Sequence, residues 1–342
     1  MRRDRQAGPA RGQGGAAILM AMLTVVLVAT LAASALWQQW RGVEIEAAQR
    51  SRVQAAWVLT GALDWARLIL REDARKGGPD HLAEPWAVPL EQARLSTFLA
   101  TDRSDALAAD AAEAAFLSGR ITDLQSQLNV SNLVLDGKVH APSLLAFARL
   151  FDLLGLPKAE LAALAANARL AQGELAAAPA QGASAPQAPV IIATAPLWPQ
   201  DLDQLAWLGL SPRSIATLRP FVTVLPVRTP VNLNTAPVEV VYACVQAFEL
   251  ADAHRLVAAR TATHLATLDD AAKAGGNAAA QFTEAQHSLG SRFFEVQGRL
   301  QVGADVVEER SLVQREGLEV RTLWRKRGGL PPPAAPRTAT LQ

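Results

Sequence analysis

The sequence predicts an α+β protein in which one long N-terminal helix packs on a small antiparallel sheet. A large all-α insertion separates the two along the chain. Three observations predict this class: an uncharged segment at 16–37 continues into apolar residues at helical spacing, alanine and leucine dominate 90–172, and β-favouring residues recur at 292–327. Because a helix with one apolar face needs a covering layer, we expect the sheet and the helix to meet in space.

The first predicted element is a membrane-spanning helix. The segment from Ala16 to Trp37 carries no charge, and about 20 residues of helix cross a bilayer. Four arginines precede this segment against one acidic residue, Asp4, which places the N-terminus in the cytoplasm and the globular part outside. A removable secretory signal is the alternative, with its cleavage site at Ala32-Ala33-Ser34-Ala35. The apolar segment is too long for that alternative, and the glycine pair Gly14-Gly15 precedes it.

The helix is predicted to continue beyond the membrane to Lys76. Apolar residues at 56, 59, 63, 66 and 70 are three or four apart, with charged residues between them, and Gly77-Gly78-Pro79 follows as a helix end. This half of the helix should carry the sheet. We expect Trp57 or Trp65 to be buried in that contact.

The middle of the chain is predicted to be helical. Alanine and leucine dominate up to 172, and Gly155 and Pro157 mark a break between two helices. The segment 176–200 is rich in alanine and proline and indicates a linker or long surface loop. After the helical region, 292–327 alternates as three antiparallel strands punctuated by Gly303 and Gly317.

The segment 201–264 resembles the helix-hairpin-helix family of small helical repeats. In DNA-binding members of that family a glycine-rich hairpin meets phosphate, whereas the corresponding turn here, Gly209 to Arg213, contains one glycine and a proline. Basic and acidic residues balance beside it, as does the whole chain, whose formal net charge is +1. We therefore expect a structural or protein-docking module and no nucleic acid. Asn232 and Asn234 are interpreted as capping the helix that starts near Pro237, with a ligand site as the minor alternative.

No catalytic constellation is found in the sequence. The five histidines are scattered, and no two of them have the spacing of a metal-ligand pair on a helix. Cys244 is the one cysteine and lies among apolar residues, which predicts a buried core thiol rather than a reactive one. The adjacent carboxylates Asp269-Asp270 and Glu308-Glu309 are interpreted as solvated surface. We expect a protein that is not an enzyme.

The N-terminus resembles a class III prepilin signal, in which cleavage follows Gly15 and leaves Ala16 as the new N-terminus with the apolar helix retained. In most pilin-like subunits the fifth residue after the cut is Glu, which pairs with the amine of a neighbour; here it is Met20. One class is known for lacking this Glu, the K-type minor pseudopilin of type II secretion. Further segments resembling that family are "GALDWARLIL" at 61–70, "DHLAEPWAVP" at 80–89, "RITDLQSQLNVSNLV" at 120–134 and "LRPFVTVLPVRTPVNLNTAPVEVV" at 218–241.

The resemblance implies a pilin-like fold and a noncatalytic subunit that initiates or caps a periplasmic pseudopilus for protein export across the outer membrane. It implies a single-pass protein of the bacterial inner membrane with a cytoplasmic N-terminus and a periplasmic globular part. The implied partners are the I-type and J-type minor pseudopilins, the major pseudopilin, the prepilin peptidase and the inner-membrane secretion platform. The alternative is a membrane-anchored periplasmic binding protein, such as a DNA-uptake or type IV pilus minor component, that uses the helical module.

Calcium is the one cofactor that the resemblance implies. The acidic stretch that the family usually has between its two helical modules is missing here, and the uncharged linker 176–200 takes its place. No ligand residues are therefore named. The expected organisation is a leader at 1–15, a transmembrane helix at 16–37, a discontinuous pilin-like domain at 38–89 and 286–328, helical module 1 at 90–175, the linker at 176–200, helical module 2 at 201–285 and a disordered tail at 329–342.

Overall fold

The computed structural model describes residues 14–95, 115–177, 195–303 and 305–328. Most of the predicted leader, most of the predicted linker and all of the predicted tail lie outside these residues. The chain divides between Val58 and Leu59 into two compact units.

Seven α-helices and eleven strands are present in the described residues. The helices are α1 (Gly14–Lys76), α2 (Ala141–Leu154), α3 (Lys158–Ala177), α4 (Pro212–Leu218), α5 (Val238–Cys244), α6 (Leu250–Ala262) and α7 (Leu268–Gly275). The strands are β1 (Leu90–Arg94), β2 (Ala115–Asp123), β3 (Leu128–Asn129), β4 (Val134–Leu135), β5 (Lys138–Val139), β6 (Val222–Thr223), β7 (Val231–Asn232), β8 (His287–Ser288), β9 (Phe293–Val302), β10 (Asp305–Glu316) and β11 (Glu319–Arg327).

The first unit contains the apolar part of α1. This helix is long and apolar enough to cross a membrane, and the side chains of its apolar window are exposed. Trp37 and Trp40 stand at the end of the uncharged stretch with their ring centroids 5.4 Å apart, and Arg41 follows. Tryptophan followed by arginine is typical of the boundary between hydrocarbon and water.

In the second unit, the last turns of α1 pack on a sheet. Leu63, Ala66 and Leu70 are buried at the predicted spacing, so the expected contact between helix and sheet is confirmed. The expectation that Trp57 or Trp65 is buried there is wrong: they are 73% and 49% exposed. Both lie outside the apolar face of α1, because helical periodicity assigns that face to the aliphatic residues. The apolar cluster between α1 and the sheet is completed by other residues, namely Trp86, Phe294, Val296, Val313 and Val320.

The sheet has five antiparallel strands in the order β1-β2-β9-β10-β11. The three C-terminal strands are the predicted ones. The helical interpretation of the chain from 90 onward is wrong at its start, because β2 pairs with β9 and β1 pairs with β2. The segment "AFLSGRITD" of β2 contains the β-favouring residues Phe116, Ile121 and Thr122, a signal that its alanine-rich surroundings masked. We propose that β1 and β2 belong to the discontinuous domain, which keeps the α+β class and enlarges its sheet.

A glycine pair on adjacent strands permits the close approach of α1. Gly119 on β2 lies opposite Gly298 on β9. A Cβ atom on Gly298 would lie 3.1 Å from Cδ2 of Leu59, and one on Gly119 would lie 2.8 Å from the carbonyl oxygen of Gln297. Larger residues at these two positions would force the strands or the helix apart.

The opposite face of the sheet is partly covered by the helical region, the part of the chain that runs from the end of β2 to β8. Phe293 and Leu312 are buried there with Leu225, which follows β6. Lys326 on β11 forms an ion pair with Asp201, which precedes a 3₁₀ helix at Leu202–Leu208. The sheet therefore has α1 on one face and part of the helical region on the other.

The helical region has its own, larger core. The predicted break is confirmed: α2 ends at Leu154, Gly155 adopts φ +65°, and α3 begins at Lys158. Arg149 on α2 donates to the carbonyl oxygen of Tyr242, in the last turn of α5, and to that of Phe248, in the loop after it. This side chain ties the first helical segment to the second.

The helix-hairpin-helix-like segment begins with a 3₁₀ helix and continues into the short helix α4. The 3₁₀ helix ends at Gly209, which adopts φ +98°, and Ser211 then caps α4 by accepting from the amide of Ser214. The amide of Ser211 itself donates to the Glu160 carboxylate on α3, 3.2 Å away. A carboxylate already occupies this hairpin.

Candidate functional site

The sequence motif that begins at Asp123 builds a buried polar network, which we call the joint. Asp123 ends β2 and accepts from four donors. Its Oδ1 accepts from the amide of Gln125, and its Oδ2 accepts from Thr235 Oγ1 at 2.5 Å, Ser291 Oγ at 2.6 Å and Asn232 Nδ2 at 3.1 Å. These donors come from the helical region and from the segment before β9. One buried carboxylate at the end of β2 therefore links the sheet to segments that follow it by up to 168 residues in sequence.

Asn232 is the second centre of the joint and is completely buried. Its Nδ2 lies within hydrogen-bond distance of the carbonyl oxygen of Asp80, Oδ2 of Asp123 and Oγ of Ser291, while its Oδ1 accepts from the amide of Asn234. The Ser291 hydroxyl gives its proton to Asp123 and is thus free to accept from Asn232. The side-chain amide satisfies groups from three separate segments.

The interpretation of Asn232 and Asn234 as helix caps is therefore wrong. Pro237 occupies the N-cap position of α5, and no side chain caps it. Asn234 instead forms a pair of hydrogen bonds with the backbone of Leu265, which follows α6. Sequence spacing suggests capping because Asn commonly caps helices, but burial turns both amides toward distant backbone groups.

The rest of the motif holds the long loop between β6 and β7. The side chain of Asn129 bonds to the backbone of Val227 and Leu225. The side chain of Gln125 donates to the carbonyl oxygen of Pro230. Thr229 bonds to two side chains, its hydroxyl to Asn129 and its backbone to Asn132. Two segments that are about 100 residues apart thus satisfy each other's backbone. Their shared hydrogen bonds explain why polar residues recur at these positions in a buried region.

An ionic cluster completes the joint where α1 ends. Arg315 on β10 forms ion pairs with Asp73 at the end of α1 and with Asp80 in the following loop. Glu84 lies beside them, and its Oε2 accepts from the His81 amide and from Trp86 Nε1. None of these acids was predicted from the sequence to be a site residue. The segment that contains Asp80, Glu84 and Trp86 is nevertheless one of those that resemble the K-type family.

These three acids are a group that could in principle hold a metal ion, because one oxygen from each lies within 4.8 Å of the others. Calcium takes six to eight oxygen ligands without cationic groups among them. Here the guanidinium of Arg315 already donates to Asp73 and Asp80. Within the described residues, this cluster does not fit the calcium ion that the resemblance implies.

Burial shifts the acid–base equilibria of the joint. Desolvation raises the pKa of Asp123 from 3.8 to about 6, against the hydrogen bonds from Ser291, Thr235 and Gln125, which favour the carboxylate. Desolvation also raises the pKa of Asp73 and Asp80, partly offset by Arg315. Because the pKa of Asp123 is higher in the folded than in the unfolded state, its contribution to folding stability is fully present below about pH 4. This contribution is lost as the pH rises to about 6.

We expect Asp123→Asn to alter this pH dependence. A shift from 3.8 to about 6 corresponds to about 3 kcal/mol between pH 4 and pH 7. The stability of the wild-type chain relative to the variant should therefore be highest near pH 4 and fall by about that amount toward pH 7. Denaturant unfolding of the full chain in detergent at several pH values measures it. A wild-type-minus-variant difference that is independent of pH would contradict the shift.

The burial of Cys244 and of Glu309 tests what the sequence predicts for these two residues. Cys244 is buried, and desolvation raises the pKa of its thiol to about 12, so the expected core thiol is confirmed. Glu309 is not solvated surface as expected: it is buried, and its carboxylate pairs with Arg325 and Arg327 on the neighbouring strand β11. Alternation along β10 directs Glu309 and Glu308 to opposite faces, and only the former faces inward.

The predicted processing and assembly positions do not belong to the joint. Gly15, Ala16 and Met20 are exposed residues near the start of α1. Tertiary structure also brings together two histidines that are far apart in sequence: His81 and His264 stack with parallel rings 4.1 Å apart. No sequence spacing could have indicated that pair.

Comparison with known proteins gives consistent results. Two family models, both described as type II secretion system protein K, match residues 126–227 and 231–290. A type II secretion system protein K of Pseudomonas aeruginosa is 29% identical over 331 residues, which cover 93% of this chain and 91% of the relative.

The fold is similar to a chain in the crystal structure of the GspK-GspI-GspJ complex from the type 2 secretion system of enterotoxigenic Escherichia coli. The TM-score is 0.60 at 18% identity, and the match covers 83% of this chain and 99% of that one. The first matched range contains Asn129 and Asn132, and the second contains Asn232 and Asn234, whereas Asp123 and Arg315 lie outside both. Over both matched ranges, and over nearly its whole length, the chain is thus similar to type II secretion system protein K.

Proposed function

We propose that this protein is a noncatalytic minor pseudopilin that initiates or caps the tip of the periplasmic pseudopilus in type II secretion. The observation that carries the proposal is α1. Its N-terminal part is uncharged and exposed, and its C-terminal part packs on an antiparallel sheet. This combination suits a subunit that is first held in the inner membrane and then extracted into a filament. Its N-terminus would be cytoplasmic and its globular part periplasmic.

The tip position is supported by Met20 and by the size of the helical region. The usual Glu at this position pairs with the amine of a neighbour above, whereas a thioether accepts hydrogen bonds only weakly. A subunit without this contact can still present its own amine, at Ala16, to the Glu of a subunit below. The helical region, which runs from the end of β2 to β8, adds a broad module that a packed shaft would have to accommodate.

The proposed partners follow from the same reasoning. The similar solved chain is part of a complex with GspI and GspJ. We propose the I-type and J-type minor pseudopilins as direct neighbours, with the major pseudopilin below, the prepilin peptidase as processing enzyme and the secretion platform as the site of assembly. Co-purification of the full chain with the I-type and J-type proteins tests this. Recovery of the chain alone, under conditions where those two associate with each other, would contradict it.

The alternative of a DNA-binding membrane protein is less well supported. In the helix-hairpin-helix-like segment, the amide of Ser211 is occupied by Glu160, and Arg219 is paired with Asp203. A phosphate would have to displace a carboxylate and compete for the nearby arginine. The local chemistry favours a structural role for this segment.

The processing prediction concerns Gly15. Replacement of Gly15 by a bulky residue such as Leu should block cleavage while the chain still inserts, because the apolar helix is unchanged. Intact-mass measurement of the native protein should give an N-terminus at Ala16 for the wild-type chain and an uncleaved chain for the variant. Gly42→Leu, in the same helix but beyond the uncharged segment, is the matched control and should be cleaved normally. A mature N-terminus near Ser34 would instead indicate a secretory signal.

The tip prediction is tested by position along the filament. Immunolabelling of overproduced pseudopili should place this chain at one end only. Met20→Glu should restore no function, since the wild-type subunit has no neighbour above it. The variant should be found by immunolabelling in the shaft more often than the wild-type chain. Label distributed along the shaft for the wild-type chain would overturn the tip assignment.

A further inference from the structure

The acidic cluster of the joint has the geometry of a cation site, but its cation is a side chain. Nη2 of Arg315 lies 2.5 and 2.7 Å from the two carboxylate oxygens of Asp80 and 2.8 Å from the carbonyl oxygen of Ser291. Nη1 lies 2.7 Å from Oδ2 of Asp73. The two carboxylates and the backbone carbonyl that surround the two Nη atoms are the ligand types that calcium takes at about 2.3–2.6 Å.

The guanidinium is held firmly in this position. The side chain of Arg315 is 10% exposed, and its guanidinium carbon lies 4.9 Å from the centre of the Phe294 ring. Its backbone amide donates to the carbonyl oxygen of Arg292 at 2.7 Å. Asp80 is fixed in turn, because its amide donates to Leu289 and its carboxylate accepts from the amide of Ser291.

The cluster connects parts of the protein that are distant in sequence. Asp73 belongs to α1, Asp80 to the loop after it, Arg315 to β10, and Ser291 to the end of the helical region. A metal ion at this point would cross-link the same segments. With the guanidinium present, a divalent ion would have to displace four charge-assisted hydrogen bonds to enter.

We propose that the guanidinium of Arg315 takes the place of a divalent cation between Asp73 and Asp80, beside Glu84. The joint is thus held without metal, and removal of the guanidinium converts the three carboxylates into a calcium site. This cluster is separate from the acidic stretch between the two helical modules, which the sequence lacks.

The test is the thermal unfolding midpoint of the full chain in detergent, with 5 mM calcium or with EDTA. The wild-type midpoint should be the same in both. Arg315→Gln should lower the midpoint in EDTA, and calcium should raise it again by about 5 °C or more, as expected for a ligand present at about 100 times its Kd. A calcium response of the variant that is no larger than that of the wild type would overturn the proposal.

Arg310→Gln is the matched control. Arg310 lies on the same strand and pairs with one carboxylate, Glu295, at 3.7 Å. Its variant should show no gain with calcium. If Arg315→Gln does not fold under either condition, comparison of the wild-type chain with Glu84→Gln decides: calcium should leave both midpoints unchanged, and a calcium-induced rise in the wild type that Glu84→Gln abolishes would overturn the proposal.

Discussion

Replacement of Trp86 by Ala should destabilise the protein by about 3–5 kcal/mol, the usual range for removal of a large buried aromatic side chain. Trp86 is 2% exposed and packs edge-on against Phe294 with ring centroids 5.2 Å apart. Its Nε1 also donates to Glu84, so the variant loses a hydrogen bond to a charged group as well as apolar contact. The cavity would open between α1 and the sheet, where Leu63, Ala66 and Leu70 converge.

Trp57→Ala is the matched control, because it removes the same side chain from α1 at a position that is 73% exposed. Its effect should stay within about 0.5 kcal/mol. Urea unfolding of the full chain in detergent, followed by circular dichroism, measures both variants. Equal losses for the two tryptophans would contradict the assignment of the apolar face of α1.

The isosteric change Asn232→Asp should cost at least about 3 kcal/mol at pH 7, since it places a second carboxylate beside Asp123 in a buried site. Nδ2 of Asn232 lies 3.1 Å from Oδ2 of Asp123 and 3.2 Å from the carbonyl oxygen of Asp80. Both oxygens of an ionised Asp accept hydrogen bonds and have no proton to donate to Oδ2 of Asp123 or to the carbonyl oxygen of Asp80. The new carboxyl group should take up a proton to remain folded, so the loss should shrink as the pH is lowered.

Asn277→Asp is the matched control for this change. Nδ2 of Asn277 lies 3.0 Å from Oδ2 of Asp252, so the substitution again faces a carboxylate, but Asn277 is partly exposed and Asp252 is paired with Arg255. Water screens that repulsion, and the cost should be about 1 kcal/mol or less. A loss for Asn232→Asp that is as small as that of the control would show that the joint contributes little to stability.

Much of the fold was predictable because it depends on local periodicity. The residues that pack α1 on the sheet, Leu63, Ala66 and Leu70, follow from helical spacing alone, as does the break at Gly155. The strands β9 to β11 follow from alternation. In contrast, β1 and β2 lie in alanine-rich surroundings whose composition favours helix, and they become strands because β2 pairs with β9 and β1 pairs with β2.

The candidate site was predictable only in part. Asp123, Asn129 and Asn232 belong to segments that the sequence singles out through their resemblance to the K-type family. Their chemistry was not predictable, because a hydrogen-bond partner about 100 residues away leaves no trace in local spacing. The two asparagines near Pro237 illustrate this: capping is the usual local role, whereas burial directs Asn232 to Asp80, Asp123 and Ser291.

The sequence by itself determined the uncharged span of α1, the apolar face of its second half, the C-terminal strands and the family resemblance, since each depends on residues that are close along the chain. Tertiary structure alone decided that Arg315 lies between Asp73 and Asp80, that Glu309 is buried between two arginines, and that Trp86 rather than Trp57 fills the space under α1. Desolvation and charge pairing act through space, and the chain segments that supply these groups meet only when the sheet and the helices have packed.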